Sequence, residues 1–235
     1  MFKRNKIVKL VSNNKFLVEE FPIEKYSKEP PKWFKDIHVN LHEYTKNTEH
    51  KSTVKACAGI WDFLKNAYII RWNFDLEINI SENEKFDYSS VNNNMLRRVT
   101  WFDKELYAMH TPISDNKLTL NTIKLELNWS ITSQQRGKVL FTEPFFDYNR
   151  DYRIIPGIVE PKFVSDVNVI IEPVKEVIKI KRGEPALALI PLDNQKIITA
   201  VSTQKELDII GKSNYKQDTL GSGWYEKFRR SDNKR

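Results

Sequence analysis

The sequence has little glycine, with seven residues in 235. These form neither a GxGxxG nor a GxxxxGK[ST] pattern, so the usual glycine-rich loops that cradle dinucleotide or triphosphate groups are excluded. Cysteine is scarcer still. Cys57 stands alone, which rules out an intramolecular disulfide and a metal centre shared between cysteines, and points to a reducing compartment. No apolar run approaches the ~18 residues that span a bilayer as a helix. The basic stretch Met1 to Leu10 is not followed by the apolar core of a secretory signal. The triplets Asn79-Ile-Ser81 and Asn128-Trp-Ser130 therefore carry no weight as glycosylation sites. The expectation is a soluble, intracellular chain with no membrane partner.

What is present is the composition of an ordinary globular protein, 40% hydrophobic and 29% charged. Aromatics reach 12%, a content that favours strands and supplies buried area. The net charge of +7 sits at the ends. Lys3, Arg4, Lys6 and Lys9 give +4 in residues 1–10. Lys227, Arg229, Arg230, Lys234 and Arg235 against Glu226 and Asp232 give +3 in residues 224–235, so residues 11–223 sum to zero. The body is not a basic nucleic-acid platform. Nucleic acid remains a partner only through the basic termini, and solvated ends are the plainer reading of them.

Hydrophobic periodicity predicts a β-rich chain. Lys6–Val11 and Lys15–Glu20, separated by Ser12-Asn13-Asn14, read as a hairpin. Pro31 is placed to start a short helix through Trp33, Phe34 and Ile37, and residues 38–52 read as a loop. Ala56, Ile60, Phe63 and Leu64 have helical spacing in Thr53–Asn66, with Ser52 or Thr53 as the cap. From Tyr68 the period becomes two. Phe74, Leu76, Ile78 and Ile80 alternate with Asp75, Glu77 and Asn79, which predicts a strand with one wet face. Residues 82–94 read as polar with a turn, and Met95–Met109 is ambiguous. Strands are predicted at 118–120, 123–131, 138–142, 158–160, 164–171, 176–181, 186–192 and 196–201, then a short helix at Thr203–Ile209. Gly211 onward reads as loop until one helical turn at Trp224–Phe228. Many short strands predict an antiparallel β sandwich or barrel, β-clip or jelly-roll-like, with one or two short helices. The domain covers residues 1–210 (hairpin 5–20, helix 53–66, sheets 68–201), followed by a basic tail, 211–235.

Few residues suggest chemistry. His38 and His42 are four apart, with Glu43 and Glu49 nearby, but HExxH is absent and the segment is not helical, so no metal is expected. Cys57 has no visible base. Arg71, Trp72 and Asp75 could clamp an anion and stack a ring, or mark an irregularity between strands. Glu143 to Arg153 is an aromatic and charged loop that reads as a binding rim or as a loop pinned to the core. Arg153 and Glu160 complete the candidate binding set. No catalytic residue and no cofactor is expected.

Trp129-Ser-Ile-Thr132, Gly137-Lys-Val-Leu-Phe-Thr-Glu-Pro144, Pro156-Gly-Ile-Val-Glu160 and Lys181-Arg-Gly-Glu-Pro-Ala-Leu-Ala-Leu-Ile-Pro191 follow one another in an order that resembles an uncharacterised family of marine tailed phages and some bacteria. Pro31-Lys-Trp-Phe-Lys35 and Thr53-Val-Lys-Ala-Cys-Ala-Gly-Ile60 extend the resemblance to about two-thirds of the chain. It implies a phage-encoded, non-enzymatic protein: a virion component or an interaction factor that works through protein contacts or self-assembly, in the host cytoplasm or the particle. Pro156–Phe163 and Ile180–Glu184 also resemble the β-clip segment of trimeric dUTPases. That family holds its sugar and attacking water with an Asp and a Tyr; here the matching positions are Glu160 or Lys162, and Phe163. The Tyr hydroxyl is missing, and Gly221-Ser-Gly223 is a poor match for a phosphate arm. This second resemblance implies strand–turn–strand architecture and not dUTP hydrolysis. The alternative function is a nucleotide- or sugar-binding protein or enzyme on a β-clip or cupin-like scaffold.

Overall fold

A computed structural model describes residues 6–39, 53–80, 86–91, 96–102, 122–145, 150–162, 166–193 and 195–220. Fourteen strands and four α-helices are described. Three sheets carry the fold, and they form a sandwich rather than a closed barrel. Strands β1 (Lys6–Ser12), β6 (Leu96–Phe102), β7 (Thr122–Thr132), β9 (Tyr152–Ile154), β11 (Asp166–Pro173) and β14 (Gln195–Val201) build a six-stranded sheet. The five-stranded sheet holds β2 (Glu24–Lys25), β3 (Tyr68–Arg71), β8 (Val139–Thr142), β10 (Gly157–Val159) and β13 (Pro185–Pro191). The smallest holds β4 (Asp75–Ile80), β5 (Phe86–Val91) and β12 (Val177–Ile180).

β7 organises the large sheet. One of its edges pairs with β11 along most of its length, while β6 takes the first half of the other edge and β1 the end. β1 also pairs in parallel with β14, so the sheet is mixed. Alternation along β7 sends Ile123, Leu125, Leu127, Trp129 and Ile131 inward. They join Ile70, Leu76, Ile78, Ile178, Leu187 and Leu189 from the other two sheets in one core.

The centre of the five-stranded sheet, at β3 and β13, is buried on both faces. Its second face carries Ile69 and Ala188, which pack with Phe34 and Leu64 of helices α2 (Lys32–Asp36) and α3 (Ala58–Asn66). Double burial explains why Ala186, Leu187, Ala188 and Leu189 are all buried, without polar alternation. Rings hold the helical layer: Phe34 meets Trp61 edge-on at 5.2 Å, and the Trp61 indole donates to the Lys55 carbonyl at 2.7 Å.

Several sequence expectations are corrected. Lys15–Glu20 is a helix, α1, and not the second strand of a hairpin. The Asn14 side chain accepts from the Leu17 amide and caps it, and Leu17 and Phe21, four apart, turn to the core together. The helix expected over residues 53–66 is two pieces, a 3₁₀ turn at Val54–Ala56 and then α3, with Cys57 exposed between them. Thr53 does cap, but it caps the 3₁₀ turn through the Lys55 amide. Residues 86–91 form β5 instead of a polar turn, because every residue from Phe86 to Val91 pairs with β4. Residues 152–154, within the aromatic loop, form β9. The last helix, α4, runs from Gln204 to Leu220 and does not become loop at Gly211; a mid-helix glycine costs only about 1 kcal/mol. The expected strand 118–120 and the helical turn 224–228 lie outside the described residues.

Candidate functional site

Arg71, Trp72 and Asp75 occupy a corner. β3 belongs to the five-stranded sheet and β4 to the three-stranded one, and the chain passes between them at Trp72-Asn73-Phe74. Beside it, in the opposite direction, Lys181–Glu184 passes from β12 to β13 between the same two sheets. The two crossings are bonded to each other. Trp72 donates its amide to the Glu184 carbonyl at 2.9 Å, and the Gly183 amide donates to the Trp72 carbonyl at 2.7 Å. The Arg71 guanidinium donates to the Gly183 carbonyl at 2.9 Å, and Asp75 accepts from the Arg182 amide at 2.9 Å. Gly183 has φ +87°, at the third position of the turn, where type II geometry favours glycine. The register slips between Pro185 and Leu187 where β13 leaves the corner.

The polar groups of this cluster are therefore taken up by the backbone turn and, for Arg71, by the Glu29 carboxylate, which accepts from the guanidinium at 2.5 Å. Trp72 is 0% exposed. Its ring lies against Phe74 and edge-on to Tyr152, and its indole N–H donates to the Tyr152 hydroxyl at 3.0 Å. Arg150 donates to the same hydroxyl at 3.1 Å and to the Pro185 carbonyl. Phe145 packs against Phe63 with ring centres 4.4 Å apart and planes tilted by 42°. The described ends of the aromatic loop are thus pinned to the core. Sequence reasoning missed Tyr152 as the partner of Trp72, and Arg150 as the second donor to its hydroxyl, since 80 residues separate Tyr152 from Trp72.

The other candidates do not join this cluster. Arg153 is exposed on β9, opposite Glu172 of β11, and Glu160 follows β10. Neither lines the shallow groove of about 320 Å³ in which Arg71 meets Tyr26, Pro31, Trp33 and Pro185. Lys6 begins β1 opposite Gln195; Lys3, Arg4, Lys227, Arg229 and Arg230 lie outside the described residues, as do His42, Glu43 and Glu49. The His38 carbonyl accepts from the Thr53 hydroxyl at 2.6 Å. Among the described residues no group of three His, Cys, Asp or Glu side chains gathers to hold a metal, and no helix is long and apolar enough to cross a membrane.

A larger groove, about 600 Å³, runs between α4 and the outer face of β1 and β7, with Ile7, Lys9, Gln134, Gln135, Glu206 and Ile209 on its walls. Thr203 and Glu206 form a capping box. The Glu206 carboxylate accepts from the Thr203 amide and hydroxyl at 2.9 Å each, and Thr203 accepts from the Glu206 amide. Lys9 bonds the same carboxylate at 3.0 Å and ties α4 to β1. The Thr203 amide, then Lys9, hold the Glu206 carboxyl below its ordinary value of 4.5, against the opposing effect of burial. A depressed carboxylate stabilises the fold above its unfolded pKa, and that contribution disappears as pH falls through the folded value. Protection of the α4 amides against hydrogen exchange is therefore expected to drop below pH 4.5 by the equivalent of about 1 kcal/mol, the usual worth of a cap. Glu206→Gln should flatten that pH dependence; an unchanged profile would rule out the carboxylate as its source.

No protein-family model matches the chain, and no curated protein matches it.

Proposed function

We propose that this is a phage-encoded, non-enzymatic protein, a virion component or interaction factor that works through protein contacts. The observation that carries the reading is where the apolar surface lies. Val91 (67% exposed), Tyr88 (51%) and Ile158 (60%) stand on β5 and β10, which have a single strand neighbour each among the described residues. Exposed apolar side chains on open sheet edges are a template for pairing with another chain. The phage assignment is supported by the resemblance of the motif order to the tailed-phage family.

The test is quantitative mass spectrometry of density-purified particles from cells carrying the gene, with cross-linked extracts of the same cells. The expected result is the chain in fixed copy number in particles, or cross-linked to a defined protein. Absence from particles together with an uncross-linked chain in the extracts overturns the reading. Stabilisation of the purified protein by a nucleotide or sugar in thermal melts would transfer support to the groove beside α4 and to a ligand-binding role.

A further inference from the structure

The geometry points to a second copy of this chain as the partner of β5, through antiparallel pairing of the two β5 strands about a two-fold axis. This rests on the reading of the protein as an interaction module and names the strand and the occupant.

The sheet edges differ in how they are guarded. β10 is three residues long, with Pro156 before it and Pro161 two residues after it. β2 has two residues. β12 carries Lys179, with Lys181 just beyond. β9 has three residues and an exposed arginine. β14 is held from the side, since the Ile197 amide donates to the Tyr68 hydroxyl and the Ile23 amide to the Thr199 hydroxyl. Short length, lysine, proline and local cover are the devices that keep edges from pairing. Among the described residues β5 has neither a covering element nor a second strand neighbour, and the strand itself holds no lysine or proline, although Lys85 precedes it and Asp87 is its one charged residue. It is six residues, Phe86-Asp87-Tyr88-Ser89-Ser90-Val91, without a register slip against β4.

Its face pattern also fits self-pairing. Phe86, Tyr88 and Ser90 lie opposite Ile80, Ile78 and Leu76, on the core side of the sheet. Phe86 packs on the core, and Tyr88 stacks beside it at 6.1 Å while remaining half-exposed. A second sheet continuing past β5 would cover that ring.

The charge pattern selects the register. A two-fold axis through an antiparallel pair keeps core faces together only when residues of like parity oppose each other. Centring on Asp87 would set two carboxylates face to face, which is unfavourable. Centring on Ser89 would place Asp87 against Val91 and desolvate the carboxylate against an apolar side chain. Centring on Tyr88 places Tyr88 against Tyr88, Phe86 against Ser90 and Asp87 against Ser89, an aromatic pair flanked by a carboxylate facing a hydroxyl. The result is a six-stranded sheet made from two three-stranded ones.

The experiment uses the full chain. Light scattering after gel filtration should give twice the 27.8 kDa chain mass at high concentration, and Tyr88→Lys should return it to one chain mass with an unchanged circular dichroism spectrum. In a Cys57→Ser background, Tyr88→Cys should form an intermolecular disulfide under mild oxidation. Directly opposed residues lie roughly 4.5–5.5 Å apart at Cα, within disulfide reach. Ser89→Cys in the same background should stay reduced. A folded monomer at every concentration, a dimer indifferent to Tyr88→Lys, or faster cross-linking at residue 89 overturns the pairing. A monomer that is still found in particles or cross-linked to another protein overturns β5 self-pairing and leaves the interaction reading intact. A β5 dimer absent from particles and from other complexes separates the two in the opposite sense.

Discussion

Trp72→Ala is expected to destabilise the protein by about 3–5 kcal/mol, the range for deleting a large buried ring, against a typical domain stability of ~5–15 kcal/mol. Trp72 is 0% exposed and contacts Phe74 and Tyr152 at ring-centre distances of 5.4 and 6.4 Å. The alanine would leave a cavity at a corner where two bonded chain segments pass between sheets, so neighbouring strands could not close over it without breaking the bonds that link Trp72 to Gly183 and Glu184. Trp72→Phe isolates the polar contribution. It keeps a ring but removes the indole donor, while the Tyr152 hydroxyl retains its bond from Arg150. Its cost should be smaller, about 1–3 kcal/mol. Urea unfolding followed by circular dichroism measures both as midpoint shifts at constant slope. A Trp72→Ala midpoint equal to that of the wild type would remove Trp72 from the core and return it to the role of a ligand platform.

The corner also shows what the sequence could and could not convey about the site. Arg71, Trp72 and Asp75 stand out because charged and aromatic residues are adjacent within one stretch of strand. That pattern is common to binding sites and to strand corners. The difference lies in Arg182 and Gly183, more than a hundred residues downstream, whose amide and carbonyl take up the Asp75 and Arg71 side chains, while the Glu184 carbonyl accepts from the Trp72 amide. The basic-glycine turn was visible in Lys181-Arg-Gly-Glu184, and its strand–turn–strand setting is present. Its pairing with Trp72 was not visible, because only the crossing of two strands from sheet to sheet creates it. Arg153, expected from the aromatic and charged loop, and Glu160, expected also from the β-clip resemblance, stand apart on β9 and just after β10.

The legible elements of the fold are those with strong local periodicity. β4 and β7 alternate over six and eleven residues, and both are strands with one buried face. The short elements were misread. Phe16-Leu17-Val18 is too brief for a period of two or 3.6 to declare itself, and the capping bond from Asn14 settles it as helix. β5 is polar in its central half, so its extended backbone comes from the ladder to β4 and not from propensity. The short helix expected at Thr203–Ile209 coincides with the start of α4, but the sequence beyond Ile210 is polar and gives no sign that the helix continues to Leu220.

Gly137→Ala is expected to destabilise the wild-type chain by about 1–3 kcal/mol, the usual range for overpacking, and to lose that effect when Gln195 is also shortened. Gly137 is buried just before β8, and a Cβ added there would lie 1.3 Å from the Gln195 side-chain nitrogen and 2.5 Å from its Cδ. The Asp193 carboxylate, 3.3 Å away, accepts from the Lys138 amide at 3.1 Å and limits the alternative positions. The Gln195 amide fills this space at a cost, because its nitrogen and oxygen are both buried and find no hydrogen-bond partner among the described residues. Gln195→Ala alone should consequently be close to neutral, the lost packing being offset by removal of two unsatisfied polar atoms. In that background the nearest atom left to the added methyl is the Asp193 carboxylate oxygen at 3.3 Å, a small crowding offset by the restriction of the unfolded chain, so Gly137→Ala should be close to neutral. A double-mutant cycle from urea midpoints reads the coupling directly. Additive single effects would mean that glycine is required at residue 137 by something other than the Gln195 side chain.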